Sequence, residues 1–473
     1  MQTIKNLSRL LACRALSATE LTQSYLDRIS HANADIGAYL TLCGEKAIKT
    51  ATEIDRRRMQ GETLPVLAGI PMAVKDNFCT AGIPTTCASK MLKTFVPPYT
   101  ATAVSRLEDA GAILLGKLNM DEFAMGATGE YSAFYPTSNP HDLTRMAGGS
   151  SAGSAASVAA DQAVFSLGSD TGGSVRLPAS FCGVVGMKPT YSRISRFGMI
   201  AFSSSLDTVG IVTHTLYDSA LVLSVMAGED PMDASCSRIH FDLEITSLNK
   251  PLFGLRIGVP EEFFAEDVTY EVKTAIQNVL ELYRSLGAVL LPMSLPVTED
   301  SLAVYHILSS AEAASNLARY DGVRYGMRVQ TESLEELYQN NGDTYFGMEV
   351  QARLHSGMEY LSSEYRMEYH KEAMTKQNAV KQAFAQAFRE VDVILMPTAT
   401  CVAPPSGAFT RGEKRAFDRF TVPASLAGLP AVSVPCHTKN TLPIGFQLIA
   451  PAFREDLLLW AGHAYQKEVY GDV

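Results

Sequence analysis

The stretch 101-ATAVSRLEDAGAILLG-116 reads as a helix over 101–112 running directly into a short apolar strand over 113–116. The same order recurs at 268-VTYEVKTAIQNVLELYRSLGA-288 with 289-VLLP-292, and at 376-KQNAVKQAFAQAFRE-390 with 391-VDVILMP-397. Helices that alternate with buried strands bury both faces of a sheet, so the repetition predicts an α/β protein with a mainly parallel or mixed sheet. The segments 255-LRIGVP-260, 431-AVSVPC-436 and 444-IGFQLIA-450 add further strands.

Towards the N-terminus, Ser17 and Glu20 form a capping box ahead of Leu21, Tyr25, Leu26 and Ile29, whose spacing marks one buried helix face. Then 64-LPVLAGIPMAVKDNF-78 reads as a strand or extended pair entering a loop, with Lys75 at its polar end. The region from about 300 to 390 reads as mostly helical, a lobe or cover on the sheet. No low-complexity linker or internal repeat interrupts residues 1–473, which predicts one domain.

With 47% hydrophobic residues the chain can build a large core. Its formal charge of −10 and pI near 5.5 argue against gripping a nucleic-acid backbone, so any RNA is expected on a partner. Eight cysteines without a CxxC pair or metal spacing read as reduced structural thiols. The N-terminal MQTIKNLSRLLACRALSATEL lacks a secretory pattern and no long apolar run follows, which predicts a cytoplasmic protein with no membrane partner.

Two glycine-serine runs carry the chemistry. In 168-GSDTGGSVRLPA-179, Gly172 and Gly173 precede Ser174, and paired glycines let successive amides converge on an anion. In 147-AGGSSAGSAASVAADQA-163, Gly149, Ser151 and Gly153 match the G-x-S-x-G nucleophile elbow. That elbow needs a buried strand before it, and 141-HDLTRMA-147 is polar and turn-like. Neither GxxxxGK[ST] nor GxGxxG occurs in the run, which excludes a phosphate loop. What remains is Lys75, Ser150 and Ser174, the serines 24 residues apart. A serine hydroxyl needs a base, a lysine serves only when burial keeps it neutral, and a second serine can relay the proton.

The segments 70-IPMAVKDN-77, 116-GKLNMDEFAMG-126, 148-GGSSAGSAA-156, 168-GSDTGGSVRLPASFCGVVGMKPTYSRISRFG-198 and 205-SLDTVG-210 resemble the amidase signature family. The segments 312-EAASNLARYDGVRYG-326 and 422-VPASLAGLPAVSVPC-436 resemble the branch that supplies A subunits of tRNA-dependent amidotransferases. The resemblance implies a large mixed sheet covered by helices on both sides, with the signature core at about 70–210. It implies Lys75 as the catalytic base, Ser150 as a bridging serine on a cis-type peptide held by Gly148 and Gly149, and Ser174 as the nucleophile. Thr171, Gly172 and Gly173 would offer the oxyanion hole.

It further implies that Ser174 attacks the side-chain amide of glutamine, that ammonia leaves after protonation through Ser150, and that water cleaves the acyl-enzyme. Arg353 would bind the glutamine α-carboxylate and Asp418 its α-ammonium, with Tyr305 lining the site. No metal or cofactor is implied in this chain. ATP and Mg²⁺ are expected on the partner, B and C subunits as partners, and the aminoacyl-tRNA, Glu-tRNA(Gln) or Asp-tRNA(Asn), mainly on them. The other reading is a stand-alone amidase for small or aryl amides, and the intact Lys75, Ser150 and Ser174 argue against a silent scaffold. Three stretches depart from the family pattern near the expected substrate entrance and partner face. Its GGSSGGS is GGSSAGS here, with Ala152 for glycine; its GSSTENS is 126-GATGEYS-132; and a tyrosine-rich segment is replaced by 362-SSEYRMEYHKEA-373.

Overall fold

The computed structural model describes residues 2–296, 300–362, 366–436 and 442–471. Its strands are β1 Tyr39–Leu42, β2 Pro71–Lys75, β3 Ile113–Leu118, β4 Ser138–Asn139, β5 Asp142–Met146, β6 Phe165–Asp170, β7 Val185–Lys188, β8 Thr208–Thr213, β9 Arg256–Pro260, β10 Val289–Met293, β11 Val393–Pro397, β12 Ala431–Pro435 and β13 Gly445–Ile449. Among the described residues, eleven form one sheet in the order β1-β3-β2-β6-β8-β7-β12-β13-β11-β9-β10. Two parallel blocks, β3-β2-β6 and β11-β9-β10, flank an antiparallel centre. The sheet is therefore mixed.

The helix-strand rhythm lies in the parallel blocks. The Thr102–Asp109 helix is the crossover from β2 to β3, and the Tyr270–Ser285 helix the crossover from β9 to β10. Every residue of β2, β3, β6, β8 and β11 to β13 is buried. Side chains alternate between the two faces of a strand, so helices cover both faces. Ser17 accepts from the Glu20 amide and Glu20 caps back, while Leu21, Tyr25 and Ile29 are buried. Leu26 is only half-buried, against the edge of the core.

The polar segment 141–147 is not a simple turn: β5 pairs with β4 in a separate two-stranded ribbon. That ribbon is no buried strand, and the nucleophile-elbow pattern at Gly149–Gly153 stays without its scaffold. Residues 300–390 supply the helices Ser301–Leu317, Leu334–Tyr345, Met348–Leu361 and Lys371–Ala387. No helix among the described residues is long and apolar enough to cross a membrane.

Candidate active site

Lys75 ends β2, between β3 and β6, with its side chain fully buried. Its Nζ lies 2.7 Å from Ser150 Oγ, 2.9 Å from Ser151 Oγ, 2.9 Å from Ser169 Oγ and 3.3 Å from the Ser169 carbonyl. Asn77 Nδ2 donates to the same Ser169 Oγ at 3.0 Å. Burial lowers the lysine to about 7, against the opposing pull of Asp121, Asp207 and Asp170. Near neutrality Lys75 is thus neutral for a large part of the time and can accept a proton from a hydroxyl.

The Gly149–Ser150 peptide is cis, and Gly148 has φ +81°. A Cβ on Gly149 would come within 1.9 Å of Asp121 Oδ2, so only glycine fits. The Asp121 carboxylate accepts the amides of Thr128, Gly129 and Tyr131, while its own amide donates to the Ser150 carbonyl at 3.1 Å. Burial pushes Asp121 up to about 6. Ser151 then starts the Ala152–Ala159 helix, and its amide donates to the Ser174 carbonyl at 3.0 Å, which brings the two serine runs together.

Ser174 follows β6 in the turn that leads into the Arg176–Cys182 helix. Asp170, the last residue of β6, accepts the Val175 amide at 3.1 Å and pairs with Arg176 through Nε at 3.0 Å and Nη2 at 2.9 Å. Thr171 Oγ1 donates to Asp207 Oδ1 at 2.6 Å, and Asp207 accepts the Phe202 and Ser203 amides. Thr421 Oγ1 donates to the Gly172 carbonyl at 2.7 Å. A Cβ on Gly172 would lie 2.6 Å from the Tyr305 ring, and one on Gly173 1.9 Å from Thr421 Oγ1 and 3.2 Å from Asp418 Oδ1. The paired glycines thus let Tyr305, Thr421 and Asp418 close on the turn.

Arg353 and Asp418 are both buried beside that turn. Arg353 Nε donates to Glu349 Oε1 at 2.7 Å, one turn back on its helix, and its guanidinium lies over the Phe202 ring. Pairing within the helix is only part of its role, because Arg353 Nη1 has no hydrogen-bond partner, and neither has Asp418 Oδ1. Burial lifts Asp418 to about 7, with Arg353 pulling it down. An orphaned cationic donor and an orphaned carboxylate oxygen in one buried site fit a ligand bearing both charges. A separate 520 Å³ cavity between Cys79, Tyr99, Met199, Arg319 and Tyr320 contains none of these residues.

The expected site residues therefore fall in one neighbourhood: Lys75 on Ser150, Ser174 on Ser151, Tyr305 and Asp418 on the two glycines, and Arg353 near both. Sequence reasoning missed Asp121, Ser169, Asp170, Arg176, Asp207 and Thr421, and met Ser151 only as the centre of the rejected nucleophile elbow. All but Thr421 lie in stretches that carried the family resemblance, so the signal was present but assigned to no role. Two of the departures are neighbours: a Cβ on Gly129 would lie 2.6 Å from the Ala152 methyl. Glycine at 129 in GATGEYS thus makes room for alanine at 152. Glu130 of the same segment bridges Lys414 at 2.8 Å and the Gly407 amide at 2.9 Å. Residues 363–365 of the third departure lie outside the described residues. No cluster of three or more His, Cys, Asp or Glu side chains that could hold a metal occurs among the described residues.

The Amidase family model matches residues 20–459. The A subunit of glutamyl-tRNA(Gln) amidotransferase from Moorella thermoacetica is 47% identical over 472 residues, covering 98% of this chain and 96% of the relative. The crystal structure of the corresponding A subunit from Thermotoga maritima matches with a TM-score of 0.81 at 35% identity, covering 99% of this chain and 94% of that one. Native peptide amidase from Stenotrophomonas maltophilia matches with a TM-score of 0.85 at 29% identity, covering 99% and 96%.

Proposed function

Because the chain belongs to the amidase family, whose match spans residues 20–459, we propose that it is the glutamine-hydrolysing A subunit of a tRNA-dependent amidotransferase. One observation carries the choice of glutamine: Arg353 Nη1 and Asp418 Oδ1 are buried without partners. A free amino acid brings the α-carboxylate and α-ammonium that satisfy both. Truncating Arg353 to alanine is expected to raise the glutamine KM about a hundredfold, with kcat far less changed. Titration of steady-state ammonia release checks this, and an unchanged KM would refute glutamine as the ligand of this pair.

In this mechanism neutral Lys75 takes a proton from Ser150 as Ser150 takes one from Ser174. The freed Ser174 oxygen attacks the carboxamide carbon, and the amides of Thr171 to Gly173 receive the oxyanion, typically worth about 3 kcal/mol per donor. The proton returns through Ser150 to the leaving nitrogen, ammonia departs, and water repeats the sequence on the acyl-enzyme. B and C subunits receive the ammonia and hold the aminoacyl-tRNA, ATP and Mg²⁺ in the cytoplasm. The acidic charge of −10 on this chain accords with tRNA held elsewhere. We read residues 1–473 as one domain, since one cluster of buried apolar side chains runs from Ile4 to Tyr465.

The pH dependence follows from two groups that act in the same direction. Lys75, lowered to about 7, is protonated below that pH and cannot accept from Ser150. Asp418, raised to about 7, is also protonated there and loses its attraction for the ammonium. Glutamine kcat/KM is therefore expected to fall as pH drops from 8 to 5.5, at up to two decades per unit at the acid end. A neutral small amide depends on Lys75 alone and should lose one decade per unit. A flat profile would show that neither group titrates during turnover.

The deciding experiment is ammonia release from L-glutamine and from benzamide, with and without co-expressed B and C subunits, using Ser174→Ala as the blank. Glutamine turnover that rises with the partners supports the proposal. Benzamide turnover by the isolated chain, with glutamine ignored, would leave a stand-alone amidase, the reading that the likeness to peptide amidase favours.

A further inference from the structure

We propose that Glu122 is a positioning residue for glutamine selection: its carboxylate seats the first turn of the Met348–Leu361 helix and so aims Arg353. The inference rests on the glutamine reading above and deepens it. Glu122 is buried, and no ion pair closes on it among the described residues. Instead Oε1 accepts Ser89 Oγ at 2.5 Å and Oε2 accepts the Gly347 amide at 2.7 Å. Gly347 is the N-cap of the helix that carries Glu349 and Arg353. A carboxylate there satisfies an orphan amide and faces the positive end of the helix. Contact is so close that a Cβ on Gly347 would lie 2.5 Å from Glu122 Oε2.

The same helix is also held where Gly357 packs on the Ser310 carbonyl of the Ser301–Leu317 helix that carries Tyr305, and where Glu349 Oε1 accepts Arg415 Nε at 3.1 Å and Nη2 at 3.0 Å. With that crossing set, Arg415 holds the Glu349 side chain and Glu122 holds the backbone at the N-cap, so the Glu122 contact fixes where the first turn of the Arg353 helix begins. The chain neighbour of Glu122 is Asp121, which braces the Ser150 turn. Two adjacent carboxylates thus divide the work: Asp121 holds the reacting groups, and Glu122 holds the group that recognises the substrate. A merely structural acid would disturb both functions together, whereas a positioning acid disturbs only recognition.

The test uses the assembled amidotransferase carrying Glu122→Gln, with Gly347→Ala as a second variant that strains the same contact from the other side. Each is expected to raise the glutamine KM about tenfold, while kcat changes by less than about twofold. Labelling of Ser174 by methanesulfonyl fluoride, which lacks an α-carboxylate, should proceed at the wild-type rate. An unchanged KM in both variants would overturn the inference, as would equal losses in KM and in labelling rate. If Glu122→Gln does not fold, Gly347→Ala decides alone. A wild-type enzyme that is labelled at Ser174 yet ignores glutamine would overturn the glutamine reading, and this inference with it; wild-type glutamine turnover with unaltered variants sinks only the role of Glu122.

Discussion

Replacing Ser174 with alanine is expected to lower glutamine-dependent ammonia release by at least about 10,000-fold, because no other group completes the covalent step. Ser150 and Ser151 both touch Lys75, but Ser150 is held on the cis peptide against the lysine and Ser151 is turned onto the Ser169 carbonyl. Neither lies in the Gly172–Gly173 turn, whose amides we propose as the oxyanion hole. The fold should be preserved, because Ser174 binds its surroundings through its backbone: its carbonyl accepts from Ser151. Lys75→Met is expected to match the loss, since Ser150 would then have no base. Stopped assays with the purified complex check both, alongside circular dichroism. Residual activity of the serine variant above about 1% of wild type would move the nucleophile elsewhere.

The largest stability effect is expected at Arg176, which is fully buried. Its guanidinium holds both oxygens of Asp170, and it also donates to the Thr421 carbonyl at 2.8 Å, Gln447 Oε1 at 2.5 Å and Ser425 Oγ at 2.8 Å. Burial alone would lift Asp170, yet Arg176, together with Lys188 and the Val175 amide, keeps the carboxyl below its ordinary value. Arg176→Met takes the direct ion-pair partner from that buried carboxylate and strands three further acceptors, so a loss of about 3–5 kcal/mol is expected. Arg176→Lys should rescue little, because a point charge cannot serve acceptors spread around a planar fork. Urea unfolding measures the difference. A loss under about 1 kcal/mol would mean that water or a rearranged Thr421 takes over the contacts.

The parallel blocks were legible in the sequence because their helices and strands keep separate periodicities. Thr102–Asp109 and Tyr270–Ser285 lie within the helical stretches that the pattern marked, and β3 and β10 start where it placed them but run on to Leu118 and Met293. β6, β7 and β8, at the middle of the sheet, were not legible. β6 reads FSLGSD, where Ser166 bonds the Ser154 carbonyl, Gly168 lets Ser151 approach and Ser169 meets Lys75. These duties break the apolar run that marks a buried strand. In the site, Lys75, Ser150 and Ser174 were legible as a spaced set. Asp121 and Asp207 were not, since most of their partners are backbone amides that only the folded loops bring to them. Thr421 reaches Gly172 across 249 positions, a distance that no local pattern spans.

The reach of Arg176 to Thr421 and Gln447 has a consequence for the order of synthesis. Lys75, Ser150 and Ser174, the three side chains we propose to react, are all made by residue 174, and the glycines that shape their turns are made with them. Yet the turn around Ser174 is locked by Thr421, and β7, already paired with β8, has β12 as its other partner. A nascent or prematurely terminated polypeptide therefore carries the complete chemical inventory without its geometry. The Ser174 turn is thus expected to take its shape only after residues 421–447 have been made, and a fragment that stops short of them is expected to be inactive.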